Sequence, residues 1–72
     1  MKQIKELNQK KVAQNIGKLL AESGMSNEEI AELLDTTPRV LYYWQNGNRL
    51  PNAKSLFALS QVFNVSIESI LV

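Results

Sequence analysis

The apolar residues of this chain recur three and four positions apart, not in alternation, so the spacing predicts helices throughout. Polar or glycine positions cut the pattern into five segments. Val12, Ile16, Leu19 and Leu20 form the first, ending near Ser23-Gly24. Ser26 opens the second, because its hydroxyl can accept from the backbone N–H three residues on while Glu29 reaches back, the S-x-x-E capping box. Ile30, Ala31, Leu33 and Leu34 carry its apolar face, and Asp35, whose short side chain tolerates the left-handed conformation, marks a sharp turn. Thr37 as N-cap and Pro38 at the first helical position start the third helix, which Gly47 stops. A loop follows through Asn48, Arg49, Leu50 and Pro51, with Leu50 turned inward. Asn52 then caps a fourth helix whose Leu56, Leu59 and Phe63 repeat at core spacing and which Asn64 ends; Ser66 caps a short fifth with Ile67, Ile70 and Leu71.

Residues 1–11 stay open between two forms. Ile4 and Leu7 are three apart with no cap before them, which fits either a flexible arm or an extra helical turn or two. Gly17, inside the first helix, costs it up to about 1 kcal/mol relative to Ala, and such a glycine often permits close packing.

The stretch from Ser26 to Gly47 reads as two short helices joined by a tight turn, and the second of them sorts into faces. Leu41 and Trp44 share the inward side with Pro38 near its edge, whereas Arg39, Tyr43 and Asn46 lie on the opposite side with Tyr42 at the flank. That outward stripe can donate hydrogen bonds, stack and make apolar contacts at once, which is what reading base edges in a major groove requires.

On these residues the chain resembles the helix-turn-helix domains of the phage-repressor and Cro type, often called XRE-like. Ala31, Ile30, Leu34, the turn at Asp35, Leu41, Trp44, Asn46-Gly47 and Leu50-Pro51 fall at that family's spacings, as do Leu56, Leu59, Phe63 through Ile67 and Ile70-Leu71. The resemblance runs from about Val12 to Leu71. It implies an all-α fold, a compact five-helix bundle of the lambda-repressor-like type, with residues 12–72 as the domain and residues 1–11 as a basic arm or helix extension. It also implies that Arg39, Tyr43, Pro38 and Tyr42 meet bases while Asn27, Thr37, Asn46, Asn48, Arg49, Lys10 and Lys11 hold the DNA backbone. Two positions depart from the family. Many members pair an Arg near the end of the first helix with a Glu after the recognition-helix aromatic, where this chain has Leu20 and Gln45. Losing one partner of a buried ion pair costs about 3–5 kcal/mol, but replacing both by packing can be neutral, so a repacked core with an amide hydrogen bond is expected. Asn27 stands where the family commonly has a Gln, one methylene longer.

Charge sharpens the picture. Residues 1–18 hold five lysines against one glutamate, a net +4, and the rest hold three cations against six acids, a net −3. Attraction to phosphate is therefore concentrated in the Lys-rich start, which in an arbitrary protein would be a solubilising tail but beside a helix-turn-helix can wrap a duplex. A chain of 72 residues is a single domain that buries only about 60% of its unfolded surface. Phe57, Val62 and Val72 are then apolar residues beyond what so small a core covers, surplus surface of the kind that partners cover.

With no Cys and no His, disulfides, thiolate nucleophiles and the commonest metal ligand are excluded, and neither a metal nor a cofactor is expected. No apolar run approaches the roughly 20 residues of a membrane span, and the start lacks a signal-peptide apolar region, so a soluble, cytoplasmic protein is expected. The leading reading is a sequence-specific regulator that represses by occupying a palindromic operator in double-stranded DNA, as a homodimer through its C-terminal helices. Nothing resembles a small-molecule effector pocket. A rival on the same scaffold is a protein-interaction module such as an antitoxin, antirepressor or adaptor. It draws on Tyr42-Tyr43 beside Trp44 and on the acidic Glu28, Glu29, Glu32 and Asp35. An enzyme is not expected, since Glu28 and Glu29 are accounted for by capping and the helix dipole and no nucleophile–base set accompanies them.

Overall fold

Each helix of the computed structural model, which describes residues 7–72, begins on a side chain that closes its own first turn. Helix α1 is Gln9–Glu22, α2 Asn27–Leu33, α3 Pro38–Gln45, α4 Ala53–Phe63 and α5 Ile67–Leu71. Ser26 Oγ accepts from Glu29 N at 3.1 Å while Glu29 Oε1 accepts from Ser26 N at 3.2 Å, so the capping box is closed in both directions. Thr37, Asn52 and Ser66 accept from Val40, Ser55 and Ser69 N at 3.4, 2.8 and 3.1 Å. Caps of this kind are worth about 1 kcal/mol each. The start of α1 differs from the apolar pattern: Asn8 Oδ1 accepts from Lys11 N at 3.1 Å, so the helix begins at Gln9, before its first apolar residue, and carries Lys10 and Lys11 in its first turn. Ile4, Lys2 and Lys5 of the basic start lie outside the described residues.

Three helices stop by the same device. Asp35, Gly47 and Asn64 take the left-handed conformation with φ of 55°, 76° and 53°. The N–H of the next residue then reaches the carbonyl five positions back, Thr36 to Ala31 at 2.9 Å, Asn48 to Tyr43 at 3.0 Å and Val65 to Ser60 at 3.1 Å. Carbonyls that the helix end would leave unpaired are thereby satisfied.

Val12, Ile16 and Leu20 of α1, Ile30, Ala31 and Leu34 around α2, Leu41 and Trp44 of α3, Leu59 and Ile70 form one core. Leu50 packs half-buried against it, as its place in the loop suggested. A long-range bond closes the bundle: Asn15 Nδ2 donates at 2.9 Å to the Ile70 carbonyl, joining the first helix to the last. All-α architecture and the five-helix order agree with the spacing of the sequence.

Four expectations need correction. Leu33 is 57% exposed, because a seven-residue helix on this core buries Ile30, Ala31 and Leu34 and turns the intervening position outward. Val62 is half-buried against the core, unlike Phe57 and Val72, which are exposed. Among the described residues Gly17 serves no close approach, since a Cβ built there meets nothing within 4 Å. Leu20 enters the core as the repacking argument required, but among the described residues the amide of half-buried Gln45 makes no hydrogen bond.

Candidate nucleic-acid interface

Helix α3 is fixed on one side and free on the other. Leu41 and Trp44 are buried, Trp44 to 4% exposure, so the helix cannot roll without opening the core. The opposite face then presents Arg39, Tyr42 and Asn46 to solvent, with Tyr42 62% exposed and Tyr43 half-buried beside it. The two tyrosine rings sit 6.5 Å apart, tilted by 57°. Pro38 and Thr37, at the start of the helix, are exposed; the Thr37 hydroxyl accepts from Val40 N.

The structure brings some of the sequence-derived residues together and leaves others apart. Lys10 and Asn46 line one surface cleft of about 510 Å³ between the first turns of α1 and the end of α3, with Gln14, Gln45 and Gly47. Arg49 lies over Tyr43, its guanidinium carbon 4.7 Å from the ring centre. Asn48 is exposed on the turn between them, and Lys11 and Asn27, exposed at the starts of α1 and α2, do not line the cleft. Gln14 is an addition to the residues expected from the sequence, and Gln45, expected only in a repacked core, also lines this cleft. Gln14 could have been found, since it stands four residues after Lys10 on a helix and so shares its face. The Arg49–Tyr43 contact carried no such signal, because the two residues belong to different elements six positions apart.

What this surface can do follows from its donors. Arg39 offers a planar fork of N–H groups, Tyr42 and Tyr43 offer rings with a hydroxyl, Asn46 and Gln14 offer planar amides with a donor and an acceptor each, and Lys10 offers an ammonium without shape selectivity. The planar groups suit base edges; the ammonium and the amide donors suit phosphate oxygens.

A helix-turn-helix family model matches residues 16–70. The chain belongs to the XRE-type helix-turn-helix family. The resemblance drawn from Ile30, Ala31, Asp35, Trp44 and Gly47 is thus confirmed at the level of family and fold. Among solved structures it is similar to the SOS-response transcriptional repressor LexA from Eubacterium rectale, with a TM-score of 0.85 and 21% identity over 97% of this chain and 74% of that one. It is similar also to a transcriptional regulator from Listeria innocua, with a TM-score of 0.77 and 33% identity over 83% of this chain and 56% of that one. A hydroxypropylphosphonic acid epoxidase from S. wedmorenis contains the same fold, with a TM-score of 0.78 and 21% identity over 94% of this chain but only 36% of the enzyme. No curated protein sequence matches the chain. Among the described residues, no helix of this helix-turn-helix protein is long and apolar enough to cross a membrane.

Proposed function

We propose that this chain is a sequence-specific transcriptional regulator that represses by occupying its operator. Family membership and the regulator-like structural relatives support DNA binding and transcription regulation. The observation that carries the finer reading is the outward face of α3, where Arg39, Tyr42 and Tyr43 stand on a helix anchored through Leu41 and Trp44. Arg39 bridges guanine O6 and N7, and Tyr43 meets a thymine methyl. Pro38 and Tyr42 flank these contacts, while Thr37, Asn46, Asn48, Arg49, Asn27, Lys10 and Lys11 hold the sugar-phosphate strands. The regulator works in the cytoplasm as a homodimer on a palindromic operator, without cofactor, metal or chemical step. An epoxidase that contains this fold does not alter the proposal, because a likeness at 21% identity concerns the fold alone.

The test is selection from a random duplex pool, followed by fluorescence-anisotropy titration of the selected and a scrambled duplex at two salt concentrations. Recovery of one preferred sequence, with affinity that falls steeply as salt rises, supports the proposal. No preferred duplex, or binding indifferent to salt, would favour the protein-interaction reading. That reading has lost part of its aromatic cluster, since Trp44 lies in the core.

A further inference from the structure

The turn after α3 folds the chain back over the helix it has just left. Gly47 is left-handed, and the N–H groups of Asn48 and Arg49 both donate to the Tyr43 carbonyl, at 3.0 and 3.4 Å. The same turn carries the Arg49 guanidinium carbon to 4.7 Å from the centre of the Tyr43 ring. A cation at that distance is held by the negative face of the ring, more so for a planar guanidinium, which also stacks. Tyr43 is accordingly half-buried while its neighbour Tyr42 is exposed. Its ring already has an occupant in the free protein.

We infer that Arg49 is a positioning residue for base reading: it fixes the orientation of the Tyr43 ring, and thereby governs preference at the base step Tyr43 meets without itself touching that base. The inference rests on the proposal that α3 reads DNA, and it revises the role of Arg49 from a backbone cation to a support for its neighbour. The two roles separate in measurement. A phosphate contact adds to affinity for every sequence and to the salt dependence, whereas a ring support alters relative affinity at one step.

The experiment compares wild type, Arg49→Gln, Arg49→Lys, Tyr43→Ala, Arg39→Ala and the double variant Tyr43→Ala/Arg49→Gln by duplex selection and by titration at two salt concentrations. NMR of the free proteins follows the Arg49 side-chain methylenes. Those protons should show a ring-current shift in wild type that disappears in Tyr43→Ala, with no DNA present. Arg49→Gln should change discrimination at the Tyr43 step by about two- to fivefold, the equivalent of one exposed cation–π contact, and should change it no further once Tyr43 is Ala. Arg49→Lys, which keeps charge but not the planar group, should move preference in the same direction. A loss equal for all sequences, with the log–log salt slope flattened by about 0.9 whether or not Tyr43 is present, would make Arg49 a phosphate contact and overturn the inference. Preference moved by Tyr43→Ala but not by Arg49→Gln overturns it alone. Preference unmoved by both Arg39→Ala and Tyr43→Ala removes the reading of α3 and the inference together.

Discussion

Gly17 sits in the middle of α1, where it gains nothing from lacking a side chain. A Cβ there would meet no atom of the described residues within 4 Å, and the residue is not among those with positive φ, so its freedom only enlarges the unfolded ensemble. Gly17→Ala is therefore expected to stabilise the domain by about 0.5–1 kcal/mol, read as a shift of the denaturant midpoint with unchanged slope. A destabilised variant would show that the position is crowded after all. Gly47 is a different case, because its φ of 76° builds the turn that places Arg49 over Tyr43. Among the described residues Arg39 has no such aromatic partner, so in the proposed role it would act by itself. Arg39→Ala should cost about 1–3 kcal/mol on the preferred operator and relax choice at one base pair, while affinity for scrambled duplex drops much less. Tyr43→Phe should keep discrimination that depends on a thymine methyl and Tyr43→Ala should lose it, with uracil in place of thymine as the partner test. If selection returned one operator for wild type, Arg39→Ala and Tyr43→Ala, the α3 stripe would not be the reader.

Among the elements, α2 shows where a sequence pattern stops being decisive. Its start was legible because a capping box is a local device: Ser26 and Glu29 close on each other whatever lies beyond. Its end was legible because a chain that must turn left-handed has few residues to choose from, and Asp35 is one of them. Thr37, Asn52, Asn64 and Ser66 mark boundaries for the same reasons. Which of two adjacent leucines faces the core was not legible. Leu33 and Leu34 both satisfy helical spacing from Ile30, and only the packing of the short helix on α3 and the shared core selects Leu34. Leu34→Ala should accordingly cost about 2–5 kcal/mol by the transfer and cavity terms, whereas Leu33→Ala should lie within about 0.5 kcal/mol of wild type. Equal losses by thermal or chemical unfolding would mean that Leu33 is covered in solution. The candidate interface followed the same division. Its residues on α3 could be read from periodicity, but the cleft joining Lys10 to Asn46 and the stack of Arg49 on Tyr43 arise from packing between elements, which periodicity does not encode.

A single short helix such as α3 can achieve only limited selectivity on DNA. A lone helix touches three or four base edges, too few to single out one site in a genome, and a two-fold pair doubles the contacts while demanding a fixed spacing. Exposed apolar residues are the candidates for such a pair. Phe57 on α4 and Val72 beyond α5 are 59% and 69% exposed, and Ile67 is at the edge of exposure, all in the C-terminal part of the chain, away from α3 in sequence. Burying these apolar side chains against a second copy would remove them from water at about 25 cal/mol per Å², the driving force that so small a core leaves unused. The dimer would set the two α3 helices about 34 Å apart, one turn of DNA, so half-sites in a selected operator should be centred about 10 base pairs apart. Phe57→Glu tests this with little risk to the fold, since the side chain lies mostly outside the core. The variant should keep the wild-type circular dichroism and melting transition at low concentration, sediment as a monomer, and lose most of its affinity for the full palindrome while keeping that for a half-site. A wild type that sediments as a monomer both alone and on the full palindrome would end the dimer proposal, and would leave sequence choice to one copy of α3 and the basic turn that begins α1.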